Sequence, residues 1–278
     1  MAHAIVLSKD RAAQLHLCLE SLIRDGSHIF PNISVIYHTS NEDFLKGYEI
    51  TKKAFPYISW IQQDDYYQNV LELVDEAFTL TSFFTDDDIL YRNIPISHIN
   101  LLSVFEELEG ILGTLSLRLG RNTYVQDPYN NINVVEPTSG FHYIENNKIF
   151  AWRWDHCPSY GNFGYPLSVD GHIFRTGEIK RILNECRFKN PNQQEVAIQP
   201  YMNLIPAMMA AFEQSVVINT PLNRVQETCL NRAGETFGQS AEEMNKLYLD
   251  GNRLDFKSID FSNIIGCHQE LKINWTMK

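Results

Sequence analysis

An α/β fold with a mixed, mainly parallel sheet flanked by helices is the class this sequence predicts, and three observations predict it. Strand, polar loop and helix follow one another three times before residue 82. The first strand is an unbroken apolar run, as strands covered on both faces are. Each strand stops at polar residues, and in such sheets the loops after the strands gather along one rim, where ligands bind.

Ala4-Ile5-Val6-Leu7 is the first run and stops at Ser8-Lys9-Asp10-Arg11. Leu15, Cys18, Leu19 and Leu22 then recur at helical spacing as far as Asp25-Gly26. A second strand over 33–37 precedes the loop 38–41 and a helix over 42–54, closed by Pro56. The third strand, 58–61, precedes the loop 62–65, and Val70, Leu71, Leu73, Val74 and Phe78 carry a further helical period. It leads into Phe83-Phe84 and then Asp86-Asp87-Asp88. Beyond Arg92 the pattern loosens. It predicts a helix over 99–112, a strand over 114–119, a polar loop over 120–136 and a strand over 148–155 with two tryptophans. An aromatic loop over 160–166, a helix over 177–186 and another near Gln193, capped by Asn190, come next. A last strand over 215–219 precedes a tail helix over 241–249 with Ser240 as its cap.

The chain has 278 residues, 44% of them hydrophobic, which suffices for a large core. A net charge of −11 argues against a broad electrostatic grip on nucleic acid. The five cysteines are odd in number and dispersed, which argues against a disulfide framework or a zinc site and fits a reducing compartment. No basic leader precedes the first strand, and the longest apolar candidate, 204–217, is short and holds Pro206 and Glu213. A cytoplasmic protein without a membrane span is the expectation, with peripheral membrane contact left open.

Three adjacent carboxylates repel one another, and burying them unpaired is costly. Delivered by a buried strand to the mouth of a crevice, they suit a divalent cation bound by oxygen alone, magnesium or manganese, together with a substrate phosphate. An acidic turn facing solvent is the bland alternative; the strand context weighs against it. Lys9 and Arg11 follow the first strand, where cations can meet a diphosphate. No G-x-G-x-x-G and no Walker sequence occurs, which disfavours dinucleotide hydride transfer and P-loop hydrolysis.

The stretch Val6-Leu7-Ser8-Lys9-Asp10-Arg11 with Leu15, Cys18, Leu19, Ser21 and Leu22, followed by Phe84-Thr85-Asp86-Asp87-Asp88, resembles the opening and the D-x-D motif of nucleotide-sugar glycosyltransferases of the GT-A fold, bacterial family-2 type. The two matches cover about a third of the chain. The resemblance implies a single GT-A-like domain: a nucleotide-binding lobe over 1–92, an acceptor lobe over 93–230 and a C-terminal tail over 231–278. It implies a divalent cation on Asp88 and Asp86, with Asp87 turned toward backbone or Arg92. It places Ser8 and Arg11, then Thr39 and Asp65, against the nucleotide-diphosphate sugar, with a glycan as acceptor. Asp170-Gly171-His172 and Asn190-Pro191-Asn192-Gln193-Gln194-Glu195 stand where the family places acceptor-side and catalytic-acid segments. Glu195 is the expected base of an inverting transfer and Asp170 its competitor; a retaining transfer needs neither. His172 or His268 could complete the metal shell, although a lone histidine is more often structural. Trp152, Trp154, Tyr160, Phe163 and Tyr165 either floor an acceptor site or fill the core, core being expected for at least half. Asn223-Arg224-Val225-Gln226 and Asn231-Arg232 resemble a motif of related bacterial sequences and carry no chemistry legible in the residues. The alternatives are a sugar-phosphate nucleotidyltransferase, whose first loop is normally glycine-rich, and a non-catalytic nucleotide- or glycan-binding relative.

Overall fold

The computed structural model describes residues 1–127, 130, 132–144, 148–158, 161–225 and 233–277. The first elements are β1 (Ala2–Lys9), α1 (Ala12–Gly26), β2 (Asn32–His38), α2 (Glu42–Ala54), β3 (Ser59–Gln62), α3 (Tyr66–Leu73), β4 (Leu80–Thr85) and β5 (Asp88–Leu90). The middle holds α4 (His98–Glu107), β6 (Leu112–Ser116), β7 (Val125–Asp127), β8 (Ile132–Asn133), β9 (His142–Ile144), β10 (Ile149–Arg153), β11 (His172–Arg175), α5 (Thr176–Glu185) and α6 (Pro191–Ile198). β12 (Met208–Phe212), β13 (Val217–Asn219), α7 (Ala241–Leu249), β14 (Asn252–Leu254) and β15 (Trp275–Met277) follow.

Among the described residues, nine strands form one sheet in the order β3-β2-β1-β4-β11-β6-β12-β10-β9. β1 pairs in parallel with β2 and β4, and β2 with β3. β11 runs antiparallel between β4 and β6, β12 is parallel to β6, and β10 is antiparallel to β12 and β9. β10 and β11 thus oppose the other seven strands, and the sheet is mixed and mainly parallel, as the sequence predicts. Ala4 and Val6 pack into one core with Leu15, Leu19, Phe84 and Tyr248. Ile5 and Leu7 pack into the opposite one with Val70, Phe83, Phe174 and Ile182. Both faces being covered, these strands carry apolar residues at every position.

The structure departs from the sequence pattern where periodicity and tertiary pairing compete. The helix drawn through Phe78 ends at Leu73, and Phe78 lies in a turn closed by its N–H on Asp75 O at 3.0 Å. The helix drawn over 99–112 stops at Glu107; Gly110, at φ +70°, turns the chain and Leu112 opens β6. The loop over 120–136 contains the short pair β7 and β8. The apolar stretch 204–217 supplies β12 to the middle of the sheet, and no described helix is long and apolar enough to cross a membrane. The strand drawn over 215–219 shortens to β13, which leaves the main sheet to pair with β5, and β14 and β15 follow it.

Trp152, Trp154 and Phe163 are buried, with the indole N–H groups of Trp152 and Trp154 donating to Phe163 O and Pro206 O. They are core, Tyr165 is half-buried, and Tyr160 lies outside the described residues. At the N-terminus of α7, the Ser240 hydroxyl accepts from Glu243 N–H and the Glu243 carboxylate accepts from Ser240 N–H, both at 3.1 Å. Ser240→Ala is expected to lower the unfolding free energy by about 1 kcal/mol in urea titration. An unchanged midpoint would show that packing of α7 on α1 and α2 alone sets its stability.

Candidate functional site

The acidic turn joins β4 to β5 and is stitched to β1 by Asp86 N–H on Leu7 O at 3.1 Å. Asp88 is fully buried; its Oδ2 accepts from Thr85 N–H at 2.9 Å, which closes the turn. Its Oδ1 accepts from Asn219 Nδ2 at 3.1 Å, and the same amide donates to Asp87 Oδ1 at 2.9 Å. Asn219 reaches both because β13 pairs with β5 in a register that sets it opposite Asp88.

Asp86 faces β1. Its Oδ2 accepts from Ser8 Oγ at 2.7 Å and Lys9 N–H at 3.2 Å, and Ser8 Oγ lies 2.5 Å from the Tyr48 hydroxyl. Arg11 Nη1 donates to Asp86 Oδ1 at 3.0 Å and to Asp87 Oδ2 at 2.8 Å. One guanidinium therefore bridges two carboxylates. Asp87 is turned inward to Arg11 and Asn219, not toward Arg92, which instead donates to Gln214.

Behind this turn stands a second charged group. Gly171 takes φ +65° and hydrogen-bonds Phe83 and Leu117 on both sides, which fixes Asp170 at the entry to β11. Asp170 Oδ1 accepts from Thr85 Oγ1 at 3.1 Å and Oδ2 from Arg118 Nη1 at 3.3 Å. Arg118 Nη1 also lies 2.9 Å from His268 Nε2, so Nε2 accepts and the ring proton sits on Nδ1, facing Asn219 Oδ1 at 3.2 Å. Burial and then Arg118 push His268 down, and the same causes take the buried His172 down to about 3. Both imidazoles are neutral. Glu195, on α6, accepts from Ser168 Oγ at 2.8 Å and Val169 N–H at 3.2 Å.

Five carboxylates (Asp86, Asp87, Asp88, Asp170 and Glu195) thus face two guanidiniums, Arg11 and Arg118. Burial raises Asp86 to about 6 despite Arg11, and burial also raises Asp88 well above its ordinary range, with Asp170 and Asp87 adding repulsion. Burial alone would also raise Asp87, but Arg11 together with hydrogen bonds from Thr85, Asn219 and the backbone outweighs it and holds that carboxyl below its usual range. Burial and Asp170 raise Glu195 to about 7. A divalent cation suits this surplus of anionic oxygen. Asp86 Oδ1 and both Asp88 oxygens each accept one hydrogen bond from the described residues, which leaves a lone pair on each. Among the described residues no three His, Cys, Asp or Glu side chains form a ready-made cage. The donor set therefore fits a cation held by one or two carboxylates and completed by substrate oxygens.

Ser8, Arg11, Asp86, Asp88 and Asp170 are brought together as the sequence predicts, and Glu195 stands close enough to feel Asp170 and Arg118. Thr39, partly buried beyond β2, lies outside this hydrogen-bond network as described. Asp65 is exposed and spends its carboxylate capping α3 through Gln68 N–H at 3.2 Å. Sequence reasoning missed Tyr48, Arg118 and Asn219, and it singled out Asn223 in a motif without giving it a role. Arg118 had a signal, a lone charge between Leu117 and Leu119; Tyr48 and Asn219 are ordinary polar residues placed by tertiary pairing. Asn223 takes the Arg11 Nε–H at 2.9 Å, whereas Gln226, Asn231 and Arg232 of the same motif lie outside the described residues.

No protein-family model matches the sequence. A bifunctional glycosyltransferase of Dictyostelium discoideum, pgtA, is 26% identical over 250 residues, covering 80% of this chain. The chain spans about a third, 32%, of that relative's length. The match bears out the resemblance to glycosyltransferases drawn from the opening strand and the acidic triplet. Among solved structures, S. aureus TarS 1-349 in complex with UDP superposes with TM-score 0.47 at 11% identity, covering 78% of this chain and 59% of that one. A cytidylyltransferase from Leptospira borgpetersenii gives TM-score 0.38 at 15% identity, covering 72% and 69%.

The raised Glu195 carboxyl ties stability to pH. Between its unfolded value near 4.5 and its folded value of about 7 the native state holds the extra proton, so stability falls as pH rises through that window. Glu195→Gln is expected to flatten this part of a stability profile measured by urea titration from pH 4 to 8. An unaltered slope would place the proton elsewhere in the cluster.

Proposed function

We propose that this chain transfers a sugar from a nucleotide-diphosphate sugar to a carbohydrate acceptor, with help from a divalent cation. The observation that carries this reading is the convergence of Ser8, Arg11 and the 86–88 acids at the carboxyl ends of parallel strands, where ligands of such sheets bind. The similarity to a glycosyltransferase over four-fifths of the chain supports it.

On this reading Ser8 and Arg11 meet the donor's nucleotide, Arg11 sharing its positive charge between Asp86, Asp87 and the diphosphate. Asp86 and Asp88 would hold the cation. When bound, it supplies Lewis-acid neutralisation of the charge that builds on the leaving diphosphate. Asn219 and Thr85 keep Asp88 and Asp170 in register, so neither carboxylate reorganises as charge develops. Glu195 takes the proton from the acceptor hydroxyl. A carboxyl raised to about 7 is matched to that task near neutral pH, and Arg118 holds Asp170 beside it.

A thermal-shift panel of nucleoside diphosphates tests this reading. One base is expected to stabilise the protein, and to do so with manganese far more than without it; a ligand at a hundredfold excess over Kd adds about 2.7 kcal/mol. Glu195→Gln is expected to keep that shift while lowering turnover by roughly 10²- to 10⁴-fold. A panel that leaves the melting temperature unmoved sinks the proposal, and a Glu195→Gln variant with full turnover removes the base.

A further inference from the structure

The acids are gripped from the far end of the chain. Arg11 offers its donors on two sides: Nη1 points at Asp86 and Asp87, while Nε donates to Asn223 Oδ1 at 2.9 Å and Nη2 to Asn223 O. Gln14 Nε2 donates to the same Oδ1 at 3.2 Å. Asn223 is buried, and its Nδ2 donates to Gln239 O at 3.2 Å. It is therefore fixed on both sides of its amide.

The chain around Asn223 is itself tied down. Gly234 N–H donates to Pro221 O at 3.1 Å, and Gly234 has φ +78°; a Cβ there would stand 2.6 Å from Leu222 O. Only glycine fits this return. The next three backbone N–H groups, of Glu235, Thr236 and Phe237, converge on the buried Glu270 carboxylate at 2.9, 2.9 and 3.0 Å. Together with Lys9, Asp10 and Ser40 after β1 and β2, Asn223, Gly234 and Gln239 line a cavity of about 500 Å³. Residues 222–225, 233–234 and 238–242 thus wall the space over the loops that follow β1 and β2.

We infer that Asn223 is a positioning residue of the donor site: it aims the Arg11 guanidinium at Asp86 and Asp87, and Glu270 holds Asn223 in place by pinning residues 235–237. This inference rests on the proposed function. A guanidinium left free to rotate loses the shared geometry that lets one Nη1 serve two carboxylates, and the entropy cost of ordering it then falls on ligand binding. Held by Asn223, Arg11 meets a nucleoside diphosphate already oriented.

The test is a double-mutant cycle on the full chain with Arg11→Ala and Asn223→Ala. Each variant is titrated with the nucleoside diphosphates of the thermal-shift panel in manganese by calorimetry. Asn223→Ala is expected to weaken binding about tenfold, and the double variant to bind no worse than Arg11→Ala alone, because the two residues act as one unit. Asn223→Asp, which keeps the acceptor for Arg11, is expected to recover most of the loss even if its melting temperature stays lowered. Glu270→Gln is expected to speed amide exchange at 235–237 and to weaken binding less than Asn223→Ala. Losses that simply add, or no recovery by Asn223→Asp, overturn the positioning role while leaving the proposed function standing. A wild-type protein that binds none of the nucleotides overturns both.

Discussion

Everything around the site follows from one electrostatic constraint: carboxylates crowded at the end of β4 must be compensated without water. Arg11 bridges Asp86 and Asp87, Arg118 reaches Asp170, and backbone and amide donors take the rest. Burial first, and repulsion among carboxylates that two guanidiniums do not balance second, make Asp86, Asp88 and Glu195 hold their protons more tightly than exposed acids do. A protein built only for stability gains little from such a cluster, since breaking or burying charge pairs is costly. The residual negative charge makes sense as a seat for a cation that arrives with an anionic ligand.

The same constraint explains why the chain closes on itself. Asn219 on β13 and Asn223 beyond it hold Asp87, Asp88 and Arg11 of the first ninety residues, and His268 near the C-terminal end meets Asn219 and Arg118. The C-terminal region reinforces this from outside. Tyr248 of α7 hydrogen-bonds His16 of α1 and Thr51 of α2, both at 2.8 Å, and Asn245 donates to Asp43 O at 2.8 Å. Helices that frame the first two loops are thereby locked to the tail. Segments 1–92, 93–230 and 231–278 all supply residues to this network.

The first ninety residues were legible because local signals and tertiary outcome agree there. Asn41 and Asp65 cap α2 and α3, the apolar runs of β1 and β4 are buried on both faces, and the acids fall after the strand that precedes them. Beyond Arg92 they diverge. Met208 to Phe212 reads as part of an irregular apolar stretch, yet the sheet needs a strand between β6 and β10 and takes it from there. Ile99 to Leu112 keeps helical spacing past the point where Gly110 turns the chain. Periodicity reports which residues want burial; it does not report which neighbour will bury them.

By itself the sequence determined the α/β class and the rim on which Ser8, Arg11 and Asp86 to Asp88 stand, whereas Asp170 and Glu195 became candidates only through the family resemblance. Class and rim are local properties, set by apolar runs, caps and the order of loops. The tertiary structure alone decided that Asp87 turns inward, that Asp88 is hydrogen-bonded by Asn219, that Asp65 spends itself as a cap, and that Arg118 and Asn223 join the site. Asn223 is 212 residues from Arg11 along the chain. A polar side chain carries no periodic mark of its partner, and only the packed fold brings such distant donors and acceptors within hydrogen-bonding reach.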